Sequence, residues 1–174
     1  MGFVSLGCPK NLVDSEVMMG ILERNGYELT PHAGEAEVIV INTCSFIESA
    51  QKESVETILE MAEHKKFGAA RKLIVAGCLV ERYRGEILKN IPEVDAVIGT
   101  GEVEKILGAV RGEVTREMSA SGTASASDYL YHEMTPRVRT TPGHTAYIKI
   151  AEGCDHPCTF CIIPKLRGGF RSRR

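Results

Sequence analysis

Short apolar runs along the first part of the chain predict the strands of a buried sheet. The runs at 2–7, 37–42 and 72–77 are too short for helices, and 96–98 is a shorter run of the same kind. The stretch 27–29 is a weaker candidate for a further strand. Because the main runs are apolar at almost every position, they indicate strands that are covered on both faces.

Segments of helical periodicity lie between these runs. We expect the first helix to start with Asn11 as its N-cap and to stop at Gly26, and the second to start with a capping box at 45–48. A third helix is expected over 80–91, where Pro92 ends it, and Thr100 is expected to cap a short fourth helix. In the second helix, apolar residues recur at helical spacing, namely Val55, Ile58, Leu59 and Ala62.

Alternation of strand and helix over about 110 residues predicts an α/β domain with an open parallel sheet and helices on both faces. In the flavodoxin-like strand order 2-1-3-4-5, the first, third and fourth strands are adjacent, and ligands bind at their carboxyl ends. We assign residues 1–112 to this domain. Residues 113–143, with a Ser-, Ala-, Thr- and Gly-rich stretch at 118–127, are predicted to be a linker.

Three cysteines follow three of the predicted strands. Cys8, Cys44 and Cys78 come directly after the first, third and fourth strands, so they are expected to meet at one edge of the sheet. Thiolates are soft ligands that select zinc, copper(I) or iron-sulfur clusters, and the domain has no fourth cysteine. The alternative is that each is a small buried core residue. We infer an open-site iron-sulfur cluster, which a helix N-terminus beside Cys44 would favour electrostatically.

A second set of three cysteines lies in one short loop. Cys154, Cys158 and Cys161 are spaced four and then three positions apart, after a predicted strand at 146–150. Such a loop at the carboxyl end of a strand suits the active-site face of a (βα) barrel, so 144–174 are predicted to be its truncated start. One alternative is half of a zinc site, in which His156 is a possible fourth ligand, and another is a redox pair.

Composition narrows the class of protein. The chain has 174 residues, 43% of them hydrophobic, and a formal charge of -2, so bulk charge does not indicate a nucleic-acid partner. No apolar run is long enough for a membrane span and no export signal is recognisable, so we expect a cytoplasmic protein in which cysteines bind metal. No glycine-rich phosphate-binding motif follows any strand. The basic run 165–174 is either a solvated loop or a contact for phosphate.

The two cysteine sets resemble those of the radical S-adenosylmethionine (SAM) methylthiotransferases. The stretches Ser5-Leu6-Gly7-Cys8-Pro9-Lys10-Asn11-Leu12-Val13-Asp14-Ser15-Glu16 and Cys158-Thr159-Phe160-Cys161-Ile162-Ile163-Pro164 carry the resemblance. They look most like the branch that modifies an aspartate of a small-subunit ribosomal protein. The tRNA-modifying branch is the alternative, but it usually has Gln-Met in place of Pro9-Lys10. A non-catalytic iron-sulfur module is a further alternative.

The resemblance implies two [4Fe-4S] clusters, one on Cys154, Cys158 and Cys161 and the other on Cys8, Cys44 and Cys78. It also implies SAM as cofactor, with Phe160 beside its adenine, an electron donor of unknown identity and no membrane partner. No catalytic residue is implied beyond the cluster ligands. A complete eightfold barrel takes about 250 residues, so we expect the present 174 residues alone to be inactive.

Overall fold

The computed structural model describes residues 1–120 and 129–173. The strands are β1 (Gly2–Ser5), β2 (Val38–Thr43), β3 (Lys72–Gly77), β4 (Ala96–Ile98), β5 (Ala151–Glu152) and β6 (Arg171–Ser172). The helices are α1 (Pro9–Arg24), α2 (Glu48–Phe67), α3 (Cys78–Asn90), α4 (Ile106–Arg111), α5 (Arg116–Ala120) and α6 (Ile163–Arg167), with single 3-10 turns at Ala33–Glu35 and Val103–Lys105.

Strands β1 to β4 form one parallel sheet in that order, which confirms the predicted α/β architecture. Ser5 pairs with Asn42, and Asn42 pairs with Ala76. The predicted strand at 27–29 does not form, since the chain there makes only an isolated parallel bridge between Thr30 and Gly2. That bridge lies on the free side of β1, where the flavodoxin-like order expects its second strand.

The core explains why the strands are apolar at almost every position. Successive side chains of a strand point to opposite faces, so Ile39 and Ile41 pack with α2 and α3, whereas Val40 packs with α1 and α4. All three are fully buried. Each such burial contributes about 1.5–3 kcal/mol to folding before the entropy cost is subtracted. The sheet is therefore the rigid element that fixes where the loops after its strands lie.

None of the three predicted N-caps, Asn11, Ser45 and Thr100, caps a helix in the structure. Helix α1 begins at Pro9 with Cys8 at the N-cap position, not at Asn11, because proline suits the first helical position. Helix α2 begins at Glu48, so the predicted capping box at Ser45 is wrong, and Cys44 lies four positions before the first helical residue. Thr100 caps no helix, because its hydroxyl donates to the Leu166 carbonyl instead.

The apolar residues of α2 do not all face the core. Ile58 is buried, but Val55 and Leu59 are 40% and 51% exposed. Both line an open groove of about 660 Å³ between α2 and α3, together with Tyr83 and Ile87.

The region predicted to be a linker contains helix α5, which packs beside β4. The Arg116 guanidinium donates to the Ile91 and Pro92 carbonyls, and Ser119 is 2% exposed. The stretch 121–128 of that prediction lies outside the described residues. Further on, the Val138 N–H donates to the Glu16 carbonyl at 2.9 Å, so the chain returns to α1.

The predicted strand at 146–150 does not form. Ile148 and Ile150 are 74% and 70% exposed, and the strand begins only at Ala151. Strand β5 pairs with β6 in the antiparallel sense, whereas a barrel would begin with parallel pairing. In the described parts of the chain, no helix has the length and apolar character needed to cross a membrane.

Candidate metal centre

The parallel sheet places the first cysteine set along one edge. Cys44 directly follows β2, and Cys78, the first residue of α3, directly follows β3. Because Thr43 pairs with Gly77, Cys44 and Cys78 are the next residues along two adjacent strands. Cys8 follows the end of β1 on the other side of β2. We refer to these three residues as the sheet-edge cysteines.

Two glycines bring the chain to these cysteines. Gly7 and Gly77 have φ values of +87° and +93°, which residues with a side chain rarely adopt. A methyl group on Gly7 would lie 2.6 Å from Cys44 Cβ and 2.9 Å from its Sγ. One on Gly77 would lie 2.6 Å from the Thr43 carbonyl oxygen. Both turns therefore require glycine for conformation and for space.

Buried polar side chains fix the loops after β1 and β2. The Asn11 amide donates to the carbonyls of Leu6 and Thr43, both at 2.9 Å. The Ser54 hydroxyl of α2 accepts the Cys44 N–H at 3.0 Å and donates to the Cys44 carbonyl at 2.9 Å. A buried backbone group without a partner would cost about 1–3 kcal/mol, so these contacts hold the cysteine backbone in place.

The sheet-edge cysteines differ in exposure. Cys44 and Cys78 are buried, whereas Cys8 is exposed. Burial raises the pKa of the Cys78 thiol, the nearby Arg167 guanidinium opposes that rise, and Cys44 adds to it. Within residues 1–120 and 129–173, no three potential ligands are arranged as a metal site. The structure thus brings the three cysteines to one edge of the parallel sheet.

A buried ionic network, formed by Asp14, Glu152, Lys149 and Arg167, lies beside Cys78. Arg167 Nη1 contacts Asp14 Oδ2 at 3.1 Å and Glu152 Oε2 at 2.9 Å. Lys149 Nζ lies 2.6 Å from Asp14 Oδ1 and also contacts Glu152. Burial would raise the pKa of Glu152, but the charges of Arg167 and Lys149 lower it to about 2. Both carboxylates are therefore paired.

Tyr131 covers one side of this network. Its hydroxyl donates to Asp14, and its ring lies under Lys149, whose Nζ is 4.8 Å from the ring centroid. Burial, followed by the negative charge of Asp14, raises the pKa of Tyr131 well above its ordinary value. Tyr131 therefore remains a neutral hydrogen-bond donor at physiological pH.

The second cysteine set lies in a loop whose two ends are tied together. The Cys154 N–H donates to the Gly168 carbonyl at 3.1 Å, and the Cys161 N–H donates to the Cys158 carbonyl at 3.1 Å. Cys158 is exposed, Cys154 and Cys161 are half-buried, and Phe160 is 92% exposed. The thiols and the aromatic ring are therefore accessible to a ligand from solvent.

The buried ionic network is not evident from the local sequence pattern. Arg167 belongs to the basic run that was interpreted as a solvated loop or a phosphate contact, but it is only 2% exposed. Its partners Asp14 and Asn11 lie about 150 positions earlier in the chain. The sequence contains one weak indication of the network. Asp14 and Asn11 lie in the motif after Cys8, and they share the buried face of α1 with its apolar residues, where polar side chains are unusual.

The donor set fits an iron-sulfur cluster at both places. Each set offers three thiols, which are the ligands that these clusters take from proteins. The Arg167 guanidinium beside Cys78 supplies positive charge where a thiolate-bound cluster would be negative.

Curated proteins are similar to this chain over its whole length. The chain is 64% identical over all 174 residues to the ribosomal protein uS12 methylthiotransferase RimO of Solibacter usitatus, covering 36% of that relative. Proteins of the same name from Koribacter versatilis and Pelotomaculum thermopropionicum are 56% and 51% identical to it. Both matches cover the whole of this chain, and they cover 42% and 39% of the respective relatives. The chain thus spans about two fifths of the length of the curated relatives it matches.

A family model described as "Uncharacterized protein family UPF0004" matches residues 1–99. That match covers the sheet and all three sheet-edge cysteines. The chain therefore belongs to the UPF0004 family.

Proposed function

We propose that this chain supplies the cluster-binding part of a radical SAM methylthiotransferase that modifies ribosomal protein uS12. The observation that carries the proposal is the 64% identity over the whole chain to a relative of that name. The two sets of three cysteines, which the fold places at one sheet edge and in one loop, support it chemically. The reaction would replace a C–H bond of an aspartate in uS12 by C–SCH3.

In this proposal each cysteine set holds one [4Fe-4S] cluster. Cys154, Cys158 and Cys161 would leave one iron open for SAM, and Phe160 would lie against the adenine. When bound, the cluster and SAM supply radical chemistry at an unactivated carbon, which side chains alone do not provide. The sheet-edge cysteines would hold the second cluster, which would supply or present the sulfur. All six thiols are free, as binding in a reducing cytoplasm requires.

Metal content is the first test. Anaerobic reconstitution with iron and sulfide should load about eight irons per chain, because two four-iron clusters are expected. Cys158→Ala should remove about half of the iron, and Cys44→Ala the other half. Iron and sulfide analysis with absorption spectra checks both variants. The two-cluster proposal is wrong if either single substitution empties both sites.

Substrate choice is tested in a chain of the relatives' full length. The loaded protein should add a methylthio group to an aspartate of uS12, detected by peptide mass spectrometry, in the presence of SAM and a reductant. Transfer RNA in the same reaction should stay unmodified. Modified adenosine together with unmodified uS12 would instead support the tRNA alternative.

A further inference from the structure

Arg167 connects the loop that carries the second cysteine set to the sheet-edge cysteines. Its Nη2 lies 3.6 Å from Cys78 Sγ and 2.9 Å from Asn11 Oδ1. The side chain is 2% exposed, so water does not compete for these contacts. It stands six positions after Cys161 in sequence, yet its partners lie on α1 and at the start of α3.

The contact is held from both sides. Leu166, the neighbour of Arg167 in α6, accepts a hydrogen bond from the Thr100 hydroxyl at 2.8 Å. Gly168, the neighbour on the other side, accepts the Cys154 N–H at 3.1 Å. Three successive residues therefore contact the first domain, the Cys78 sulfur and the second cysteine loop. Arg167 is oriented by the fold and is not a mobile surface side chain.

The charges around Arg167 favour a further anion at Cys78. Two carboxylates, Asp14 and Glu152, face the two buried cations Arg167 and Lys149. Lys10, which is about half exposed, adds a third cation 3.6 Å from Glu152. The four buried charges therefore sum to zero, and Lys10 brings the whole group to one positive charge more than its carboxylates. A thiolate ligand carrying an anionic cluster would complete the balance.

We propose that Arg167 is a positioning residue that donates a hydrogen bond to the Cys78 sulfur and raises the reduction potential of the sheet-edge cluster. This inference rests on the proposed function, because it requires a cluster on the sheet-edge cysteines. Hydrogen bonds and positive charge at cluster sulfurs stabilise the more negative, reduced state. The guanidinium also fixes the Cys154 loop against the sheet, so one side chain couples the placement of the loop to the potential of the cluster.

The potential is measured in a Cys158→Ala background, where only the sheet-edge cluster loads. Arg167→Gln should lower the reduction equilibrium constant at least tenfold, which is about 59 mV for a one-electron couple. Arg167→Lys keeps the positive charge but loses the planar guanidinium with its several N–H donors, so the reduction potential should shift by less than in Arg167→Gln. Arg71→Gln is the matched control. It removes the same charge from an exposed residue just before β3, at the opposite edge of the sheet, and should leave the potential unchanged.

A purely structural role gives a different result. Arg167→Gln would then lower the melting temperature while its cluster kept the wild-type potential, and the proposal would be wrong. If Arg167→Gln does not hold iron, Arg167→Lys decides: an unchanged potential in that variant would also overturn the proposal. Iron content separates this inference from the function, since a Cys158→Ala chain that binds no iron overturns the proposed cluster itself.

Spectroscopy tests the contact between Arg167 and Cys78 directly in a chain that keeps Arg167. In the Cys158→Ala chain labelled with 15N in arginine side chains, pulsed electron paramagnetic resonance of the reduced cluster should show a 15N coupling. In the described residues, Arg167 is the arginine that contacts a sheet-edge sulfur. The coupling should remain in Arg71→Gln and disappear in Arg167→Lys. A loaded cluster without any 15N coupling would show that the guanidinium does not reach Cys78.

Discussion

At the scale of single residues, backbone conformation and steric contact determine where the sheet-edge cysteines lie. Gly77 illustrates this, because it links β3 to Cys78 with φ +93° and ψ -156°, a region that only glycine commonly occupies. The Asn42 side chain and the Thr43 carbonyl fill the space where a Cβ would lie. The same residue thus sets the direction of Cys78 and the close approach of β2.

Gly77→Ala should therefore destabilise the apo chain by about 3 kcal/mol or more, the sum of backbone strain and overpacking. Urea unfolding followed by circular dichroism measures this. Gly26→Ala is the control, since Gly26 also has a positive φ, +83°, but no atom within 4 Å of the added methyl group. It should cost about 1–2 kcal/mol, the conformational part alone. Equal losses in both variants would show that contact with β2 contributes nothing.

At the scale of the elements, sequence predicted the strands better than the ends of the helices. A strand such as β2 has a local signal, namely consecutive β-branched residues, and its burial on both faces follows from that. A cap depends on where a polar side chain points. Asn11 and Thr100 were predicted as caps, but each bonds to a distant backbone carbonyl. The Ser45 hydroxyl, which was the third predicted cap, is buried and has no hydrogen-bond partner in the described residues.

Arg167 shows a second limit of local patterns. Charged residues are usually exposed, so a basic run predicts a solvated loop. The side chain is buried only because Asp14 and Glu152 compensate it, and these residues lie far away in sequence. The cysteine positions could be predicted because strand ends are local features. The network behind them could not, because it exists only in the tertiary structure.

Helix α2 offers a test of its two faces with neighbouring residues. Ile58→Ala should lower the free energy of unfolding by about 2–5 kcal/mol, because it leaves a cavity in the core. Leu59→Ala, one position on, should change it by less than about 1 kcal/mol, since that side chain is 51% exposed in the α2–α3 groove. Urea midpoints of the two variants give the comparison. A large loss in Leu59→Ala would mean that the groove is closed in solution.

At the scale of the whole molecule, ionic contacts hold the second part of the chain, residues 129–173, on the first part, residues 1–120. One such contact is the network around Asp14. In another, the buried Glu16 of α1 accepts hydrogen bonds from Arg137 and Thr140. Burial alone would raise the pKa of Glu16, but hydrogen bonds from Thr140 and Arg137, with the Arg137 charge, lower it below its ordinary value of 4.5. Segment 137–140 therefore depends on Glu16 being ionised.

This dependence predicts that acid loosens the second part of the chain. Because the folded pKa of Glu16 lies below 4.5, its contribution is fully present above that pH and is lost as the pH falls below it. The Thr140 amide, which donates to Glu16 Oε1 at 2.7 Å, should lose hydrogen-exchange protection as the pH falls from 6 to below 4. Nuclear magnetic resonance measures that protection, corrected for the intrinsic exchange rate.

Glu16→Gln separates the charge of Glu16 from its shape. The variant should have low Thr140 protection already at pH 6, because Arg137 loses the charge of its partner. Breaking a fully buried pair costs about 3–5 kcal/mol, and the loss here should be smaller because the Arg137 side chain is 26% exposed. Glu23→Gln, on the exposed side of the same helix, should behave like the wild type. If Thr140 keeps its protection in Glu16→Gln at pH 6 and in the wild type below pH 4, contacts other than this carboxylate hold the segment. The buried network around Arg167 would then be the main link between the two parts of the chain.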